Sequence, residues 1–210
     1  MTTICCIATG PSVTAEQVAV ARANGWTLYV CNDAFRLTPD ATLLHACNWQ
    51  WWDRRWDEVK PLPCEKWTTR KESAVKYGLH YIEERAAHGC GLSEDTRWLH
   101  HGHGSGFQLL GMAYRAHPRR IVMLGYDLKY APDYDGAARH VGSTPRHFFG
   151  EYEPELQHWP RKSVHNGLHW ELRSIYSAVP DFNRQCEFVN CSPGSALTAL
   201  PMADIREVPA

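Results

Sequence analysis

Apolar residues along this chain fall into short unbroken runs, and each run is followed by glycine, asparagine, aspartate or serine. The runs are residues 3–8, 26–30, 42–47, 121–124 and 186–189. They are too short to cross a membrane and read as strands buried on both faces, as in a parallel sheet. Residues 66–69, Lys-Trp-Thr-Thr, add a further short strand. Between the runs the pattern changes to a helical period. Thr14 with Gln17 forms a capping box for a helix over 15–23, and Gly25 ends it. Trp49, Trp52 and Trp56 are spaced three and four apart, as on one packed helix face, which leaves Trp51 pointing elsewhere as the rim candidate. Residues 71–88 read as a polar helical region with Tyr81, Ile82 and Ala86 inward. Gly104-Ser105-Gly106 opens a mostly apolar helix carrying Phe107, Leu110, Met112 and Tyr114, which His117-Pro118 ends. Trp170 to Tyr176 reads as an amphipathic helix stopped by Pro180.

Strands alternating with helices give an α/β chain with a parallel sheet. Such sheets bind ligands outside the carboxyl ends of their strands. Gly10-Pro11-Ser12 follows the first strand, Asn32 the second, Asn48 the third, Gly125-Tyr126-Asp127 the strand at 121–124, and Ser192-Pro193-Gly194-Ser195 the last. Asparagine offers donors and an acceptor, which suits a ribose or a base edge, and it is also a common turn former. The strand, glycine turn and helix at Gly10–Ser12 can set backbone N–H groups against a phosphate. It falls short of a full dinucleotide fingerprint, because it has one glycine and Pro11 removes a donor, so a plain turn fits as well. Asp127 reads either as part of a nucleotide site or as a loop cap.

Composition narrows the partners. The 210 residues are 44% hydrophobic and 21% charged, ordinary values for a soluble domain. A net charge of −1 gives no bulk case for nucleic-acid binding and leaves Arg54, Arg55 and Lys60 as a local basic patch to consider. Eight cysteines would suit disulfides in a secreted chain, but Met1-Thr2-Thr3 leads straight into a strand. Cys5, Cys6, Cys31 and Cys47 lie in apolar runs and read as reduced core residues of a cytoplasmic protein with no membrane segment. His100, His101 and His103 read as part of a solvent-exposed glycine-rich loop in preference to a metal site, since adjacent histidines rarely point at one ion. Asp133-Tyr134-Asp135 looks like the D-x-D of metal-using glycosyltransferases, yet no strand precedes it, and a mobile loop over about 129–165 is expected. His147, beside Phe148 and Phe149, is a candidate general base near neutral pH, with His158, His165 and His169 as competitors.

The order of these motifs resembles the bacterial sialyltransferase family typified by the Campylobacter lipooligosaccharide enzymes. It equally resembles a domain group of mostly unassigned function that includes archaeal hydroxymethyldihydropterin pyrophosphokinases and many phage proteins, and the phage members look closest. Gly10-Pro11-Ser12, Cys31-Asn32, Asn48, Ser105-Gly106, Gly125-Tyr126-Asp127, His147-Phe148-Phe149-Gly150 and Cys191 to Ser195 carry the resemblance. It implies a doubly wound, mostly parallel Rossmann-like sheet with helices on both faces, one domain over 1–210. It also implies a metal-independent inverting transfer from a nucleotide-activated donor such as a CMP-sugar to a small-molecule or glycan acceptor, with no further cofactor. Gly10, Pro11, Ser12, Asn32, Asn48, Ser105 and Gly106 would hold the nucleotide, and Tyr126, Asp127 and Tyr130 would lie near the phosphate and leaving group. Ser192, Pro193, Gly194 and Ser195 would contact the base, and His147 would be the general base. Thr9 stands where the sialyltransferases have asparagine, which weakens the inference to CMP. The alternative is a Mg²⁺-dependent pyrophosphoryl or phosphoryl transfer from ATP to a small heterocycle, which Asp127, Asp133 and Asp135 could serve. Nucleic acid enters as a partner only if the acceptor is a phage DNA base, and a homo-oligomer is left open.

Overall fold

Among the described residues seven short strands form one sheet: β1 (Thr3–Ile7), β2 (Thr27–Cys31), β3 (Leu43–His45), β4 (Glu65–Thr68), β5 (His80–Tyr81), β8 (Arg120–Leu124) and β9 (Glu187–Asn190). The computed structural model describes residues 2–85, 91–93, 95–129, 147–150, 152–153, 156, 171–180 and 186–210. The strand order is β5-β4-β3-β2-β1-β8-β9 and every pairing is parallel. Cys6, for example, lies opposite Tyr29 on one side and Met123 on the other.

The apolar runs have no polar face because both of their faces are covered. Side chains along a strand alternate between faces. Ile4, Cys6, Ile121 and Met123 enter one core, while Cys5, Ile7, Val122 and Leu124 enter the other. The helices α1 (Ala15–Ala23) and α2 (Trp49–Val59) pack Val18, Ala21, Trp51, Trp52 and Val59 into the second core. On the opposite face α4 (Ser105–Arg115) and α5 (171–180) pack Phe107, Leu110, Ile175 and Ala178 into the first. The sheet is therefore doubly wound. The chain runs outward from β1 to β5 and returns through α4 to β8, on the far side of β1. That reversal puts the topological switch point, and its crevice, at the carboxyl ends of β1 and β8.

Four expectations are corrected, the last of them at Arg55. The helical region expected over 71–88 ends early: α3 covers Lys71–Tyr77, and Gly78 takes a left-handed conformation (φ +67°) that only glycine adopts without strain. The chain then makes β5 and β6 (Glu83–Arg85), which leaves Tyr81 exposed and Ile82 buried. Ala86 lies outside the described residues. The segment around His100 is not an exposed loop, since β7 (Trp98–His100) pairs with β6 and buries Leu99 and His100. Trp51 and Trp49 also exchange places. Trp51 is 3% exposed and its indole N–H donates to Asp33 at 2.6 Å, whereas Trp49, in the first turn of α2, is 53% exposed.

Arg55 does not belong to a basic surface patch. It is 4% exposed, binds Asp33 through Nε (3.1 Å), and donates to both carboxylate oxygens of Glu153 at 2.8 and 2.7 Å. Asp33 is fully buried and also accepts from Arg36 at 3.1 Å. Burial leaves Arg55 no water to bind, so it takes three carboxylates instead, counting Glu58 at 3.4 Å. These pairs tie the segment around Tyr152 and Glu153 to α2. Of the eight cysteines, Cys5, Cys6, Cys31, Cys64 and Cys191 are buried free thiols, and burial pushes their pKa values up.

Candidate functional site at the carboxyl rim of the sheet

At the switch point two turns interlock. The amide of Ala8 donates to Leu124 O (2.8 Å) and that of Gly10 to Gly125 O (2.9 Å), which continues the β1–β8 ladder past the strands. Ser12 Oγ then donates to Asp127 Oδ2 at 2.8 Å, with the Ser12 amide at 3.4 Å from the same oxygen. Gly10 is required there, because a Cβ would overlap Asp127 Oδ2 and Gly125 O. Gly125 is required twice over, by its φ of +72° and by its close approach to Ala8 O. Asp127 is buried, which raises its pKa, and the hydrogen bonds from Ser12 oppose that rise.

His147 docks on the same end of β1. The Thr9 hydroxyl lies 3.0 Å from His147 Nδ1, and the Phe148 amide donates to Thr9 O at 3.1 Å. His147 and Gly150 exchange backbone hydrogen bonds (3.1 and 3.0 Å), closing the turn that presents the imidazole. Phe149 stacks on the ring at 5.0 Å with planes 3° apart, and Tyr152 meets it edge-on at 4.9 Å. Ring, hydroxyl and stack fix both the position and the orientation of the imidazole.

On the β8–β9 side the predicted residues bond to one another. The Tyr126 amide donates to Ser192 Oγ (2.9 Å), Ser195 Oγ donates to Tyr126 O (2.5 Å), and the Tyr126 hydroxyl donates to Gly106 O (3.0 Å). Ser192, Ser195 and Tyr126 are buried, and Pro193 and Gly194 form the exposed tip of this turn. The ammonium group of Lys129 donates to Gly194 O.

The β2–β3 side is different. Asn32 sits at the end of β2 with φ +49°, a conformation asparagine tolerates better than most residues. Its side chain has no partner among the described residues. Asn48 precedes α2 without capping it, and its Oδ1 receives a contact from Cys47 Sγ at 3.6 Å. Ser105 Oγ accepts from the Cys47 amide (3.2 Å) and lies 3.1 Å from Cys47 Sγ, which fixes the start of α4 against the end of β3.

Glu171, the first described residue of α5, reaches that helix start. Its Oε1 accepts from the Phe107 amide at 3.1 Å, and its carboxylate fills the space that a Cβ at Gly104 or Gly106 would need. Burial pushes the carboxyl up to about 7, against the pull of the Phe107 N–H. Sequence reasoning missed this residue. In the sequence it is one polar position of an amphipathic helix, and nothing local ties it to a turn far upstream. A signal did exist in Gly104 and Gly106, which remove side chains at a helix start where caps are normally polar.

Two further polar groups lie near the rim. His45 is fully buried, its Nε2 lies 2.8 Å from Gln108 Oε1, and burial lowers its pKa to about 4, so it is a neutral structural group. His100 Nδ1 lies 2.7 Å from Gly91 O, and His101 Nδ1 accepts from the His103 amide at 3.1 Å. Among the described residues no three His, Cys, Asp or Glu side chains are grouped to hold a metal ion. Tyr130, Asp133, Asp135, His158, His165 and His169 lie outside the described residues, as does most of the 129–165 segment expected to be mobile. Among the described residues no helix is long and apolar enough to cross a membrane.

No protein-family model matches the chain, and no curated protein matches it in sequence. Among solved structures it is similar to the MAf glycosyltransferase from Magnetospirillum magneticum AMB-1, with a TM-score of 0.58 and 13% identity. The match takes in 99% of this chain and 34% of that one, so the chain spans about a third of that protein. At this identity the likeness is one of fold alone.

Proposed function

We propose that this chain is a nucleotide-dependent transferase that moves a glycosyl group from a nucleotide-activated donor to an acceptor hydroxyl, with inversion and without a metal. The observation that carries the reading is the seat of His147. It stands on the Thr9 hydroxyl at the switch point of the sheet, one turn from the braced Gly10–Ser12 loop. That crevice is where doubly wound sheets take nucleotides. Sharing a fold with a glycosyltransferase supports glycosyl transfer over pyrophosphoryl transfer.

In this reading the nucleotide lies along the rim, with the Gly10–Ser12 turn toward its phosphates and Asn32 and Asn48 toward its sugar and base. Asp127 positions the turn by holding Ser12. His147 acts in the tautomer whose Nδ1–H donates to Thr9 Oγ1, so that Nε2 is the nitrogen that takes the acceptor's proton. As the acceptor oxygen bonds to the donor's anomeric carbon, its proton passes to Nε2. The bond from that carbon to the phosphate oxygen breaks, and its electron pair leaves with the nucleotide.

The test combines binding with turnover. A ligand that binds only the native state raises its melting temperature. A cytidine nucleotide, CMP or CDP, is expected to give the largest shift, and a clear preference for ATP would favour the pyrophosphoryl alternative. His147→Ala should keep the full nucleotide shift while turnover falls about 10²-fold or more. Activity should persist in excess EDTA, and its complete loss there would overturn the metal-independent reading.

A further inference from the structure

A cluster of charges beneath the rim joins the segment that carries His147 to the end of β2. Asp33 directly follows Asn32 and is fully buried, and it accepts from Trp51 Nε1 (2.6 Å), Arg36 Nε (3.1 Å) and Arg55 Nε (3.1 Å). A buried charge persists only with partners of this kind. With Nε on Asp33, Arg55 turns its two terminal nitrogens to Glu153. Nη1 donates to Oε1 at 2.8 Å and Nη2 to Oε2 at 2.7 Å. Two parallel bonds fix the carboxylate in angle as well as in distance. They also hold the Glu153 carboxyl down to about 2, so it stays charged at any working pH.

Glu153 stands shortly after His147, and Tyr152 lies between the pair and the imidazole. The phenol oxygen of Tyr152 is buried within electrostatic reach of Asp33, Cys31 and Arg55. Its ring meets His147 edge-on at 4.9 Å and Phe149 at 5.0 Å. The imidazole is therefore held from two sides, by Thr9 on the end of β1 and, through Tyr152 and Glu153, by Arg55 on α2. Arg55 itself does not swing, because α2 buries Trp51, Trp52 and Val59 around it. It stands almost two turns into α2, on the order of 9 Å along the helix from Trp49, so it acts on the segment it holds and not on a ligand at the rim.

We infer that Arg55 and Glu153 are positioning residues for the proposed base: their paired hydrogen bonds lock the turn that carries His147 against α2 and so set the distance from the imidazole to the Gly10–Ser12 turn. The inference rests on the transferase reading above and extends it from the base to the part of the chain that holds it. Stability alone does not account for the pair. Desolvation offsets most of the attraction in a buried ion pair, and apolar side chains of the same size often stabilise as well. A bidentate pair supplies direction, which a catalytic base needs and apolar packing does not give.

The test follows release of the nucleotide from CMP-N-acetylneuraminate, UDP-glucose and GDP-mannose, with lactose or water as acceptor, together with the nucleotide thermal shift. Wild type, Glu153→Gln, His147→Ala and the double variant are compared. The Glu153 side chain is 37% exposed, so a glutamine there can be solvated without unfolding the chain. Glu153→Gln should lower kcat about 10-fold or more and keep both KM for the donor and the nucleotide shift, because a slightly misplaced base is costly. In the His147→Ala background the same substitution should change kcat less than about 2-fold, since no imidazole is left to misplace and groups that act as a unit do not add. Glu153→Asp keeps the charge on a shorter arm and should fall between wild type and Glu153→Gln. It carries the same comparison with His147 if the glutamine variant does not fold. Glu58→Gln removes the carboxylate that meets Arg55 from within α2, at 3.4 Å, and should leave turnover unchanged. Full turnover in Glu153→Gln, an equal fall with and without His147, or an equal fall in Glu58→Gln overturns the inference and leaves the transferase reading standing. A His147→Ala protein as active as wild type removes the assignment of the base and this inference with it. Absence of turnover by wild type with all three donors removes the transferase reading as well.

Discussion

The two halves of the rim use their polar groups in opposite ways. On the β1–β8–β9 side nearly every polar group is spent inside the protein: Ser12 on Asp127, Thr9 beside His147, Ser192 and Ser195 on Tyr126, and the Tyr126 hydroxyl on Gly106. On the β2–β3 side the Asn32 side chain has no partner among the described residues, Asn48 makes no cap, and Trp49 stands in solvent. A polar group already bonded inside the fold gives a ligand little, since a new bond must replace an old one. A group held in place yet unspent can give its whole hydrogen bond. The bonded half therefore reads as the machine part that fixes the histidine and the turn, and the open half as the part that meets the ligand. The difference predicts that substitutions on the bonded side change the stability of the empty protein, whereas those on the open side change only binding.

The largest effect should come from Gly10→Ala. Its Cβ would be driven into Asp127 Oδ2 and Gly125 O, of which the second is backbone and cannot swing away. Overpacking of this kind costs about 1–3 kcal/mol or more. The melting temperature should fall and the nucleotide shift should vanish, because the turn can no longer close on Asp127. Asn48→Ala is the matched experiment on the open side. Its melting temperature without ligand should stay within the ordinary scatter of surface changes, about 0.5 kcal/mol, while the nucleotide shift shrinks. If Asn48→Ala destabilised the empty protein as much as Gly10→Ala, the division between the halves would be wrong.

The bonded half was also the more legible in sequence, and the reason is physical. Its parts are glycines and strand ends whose roles are local: Gly10 and Gly125 must be small because backbones cross there, and an apolar run ending in Gly125-Tyr126-Asp127 marks a strand's end wherever the sheet lies. The parallel sheet needed only the alternation of runs and helices. What stayed hidden depends on distant pairing. Arg55 reads as a surface cation until Asp33, some twenty positions before it, and Glu153, about a hundred after it, close on it. Trp51 and Trp49 could not be told apart by spacing, because the face that α2 buries is chosen by the Asp33 carboxylate that takes the Trp51 indole N–H. The helix expected through residue 88 ended at Gly78, where one left-handed glycine outweighed a weak polar period. Glu171 was invisible for the same reason as Arg55, since its partner belongs to another helix.

A smaller effect sharpens the role of the bonded side. Thr9 touches His147 but lies beneath it on the end of β1, so it positions the ring without reaching a ligand. Thr9→Val keeps the shape and removes the hydroxyl that faces Nδ1. We expect turnover to fall about 10-fold, equivalent to about 1.4 kcal/mol at the transition state, with little change in the nucleotide shift. The pH profile of turnover should move as well, because Thr9 fixes which nitrogen carries the proton. Thr9→Ser, which restores an oxygen near Nδ1, should recover most of the rate. A loss of rate equal in Thr9→Ser and Thr9→Val would mean that Thr9 acts by packing alone.

The smallest expected effect lies on the open side, at Trp49. It follows Asn48 directly and belongs to the first turn of α2, so its backbone is fixed while its indole stands in solvent, 53% exposed. A single exposed aromatic is common and by itself marks nothing. The position is what singles it out: β3 ends two strands from β1, and strands lie about 4.8 Å apart, so Trp49 stands on the order of 10 Å along the rim from the Gly10 turn. That span suits a nucleoside whose phosphate meets the turn and whose base reaches an aromatic face. Base stacking on an aromatic side chain is worth about 1–3 kcal/mol, and an indole this open to water should give the low end, about 1 kcal/mol. Trp49→Ala should therefore weaken nucleotide binding about 5-fold, leave the melting temperature of the empty protein unchanged, and be largely rescued by Trp49→Phe. Quenching of tryptophan fluorescence by nucleotide should disappear in the same variant. Full quenching in Trp49→Ala would place the base elsewhere on the rim, while the bonded half and its histidine would stand as described.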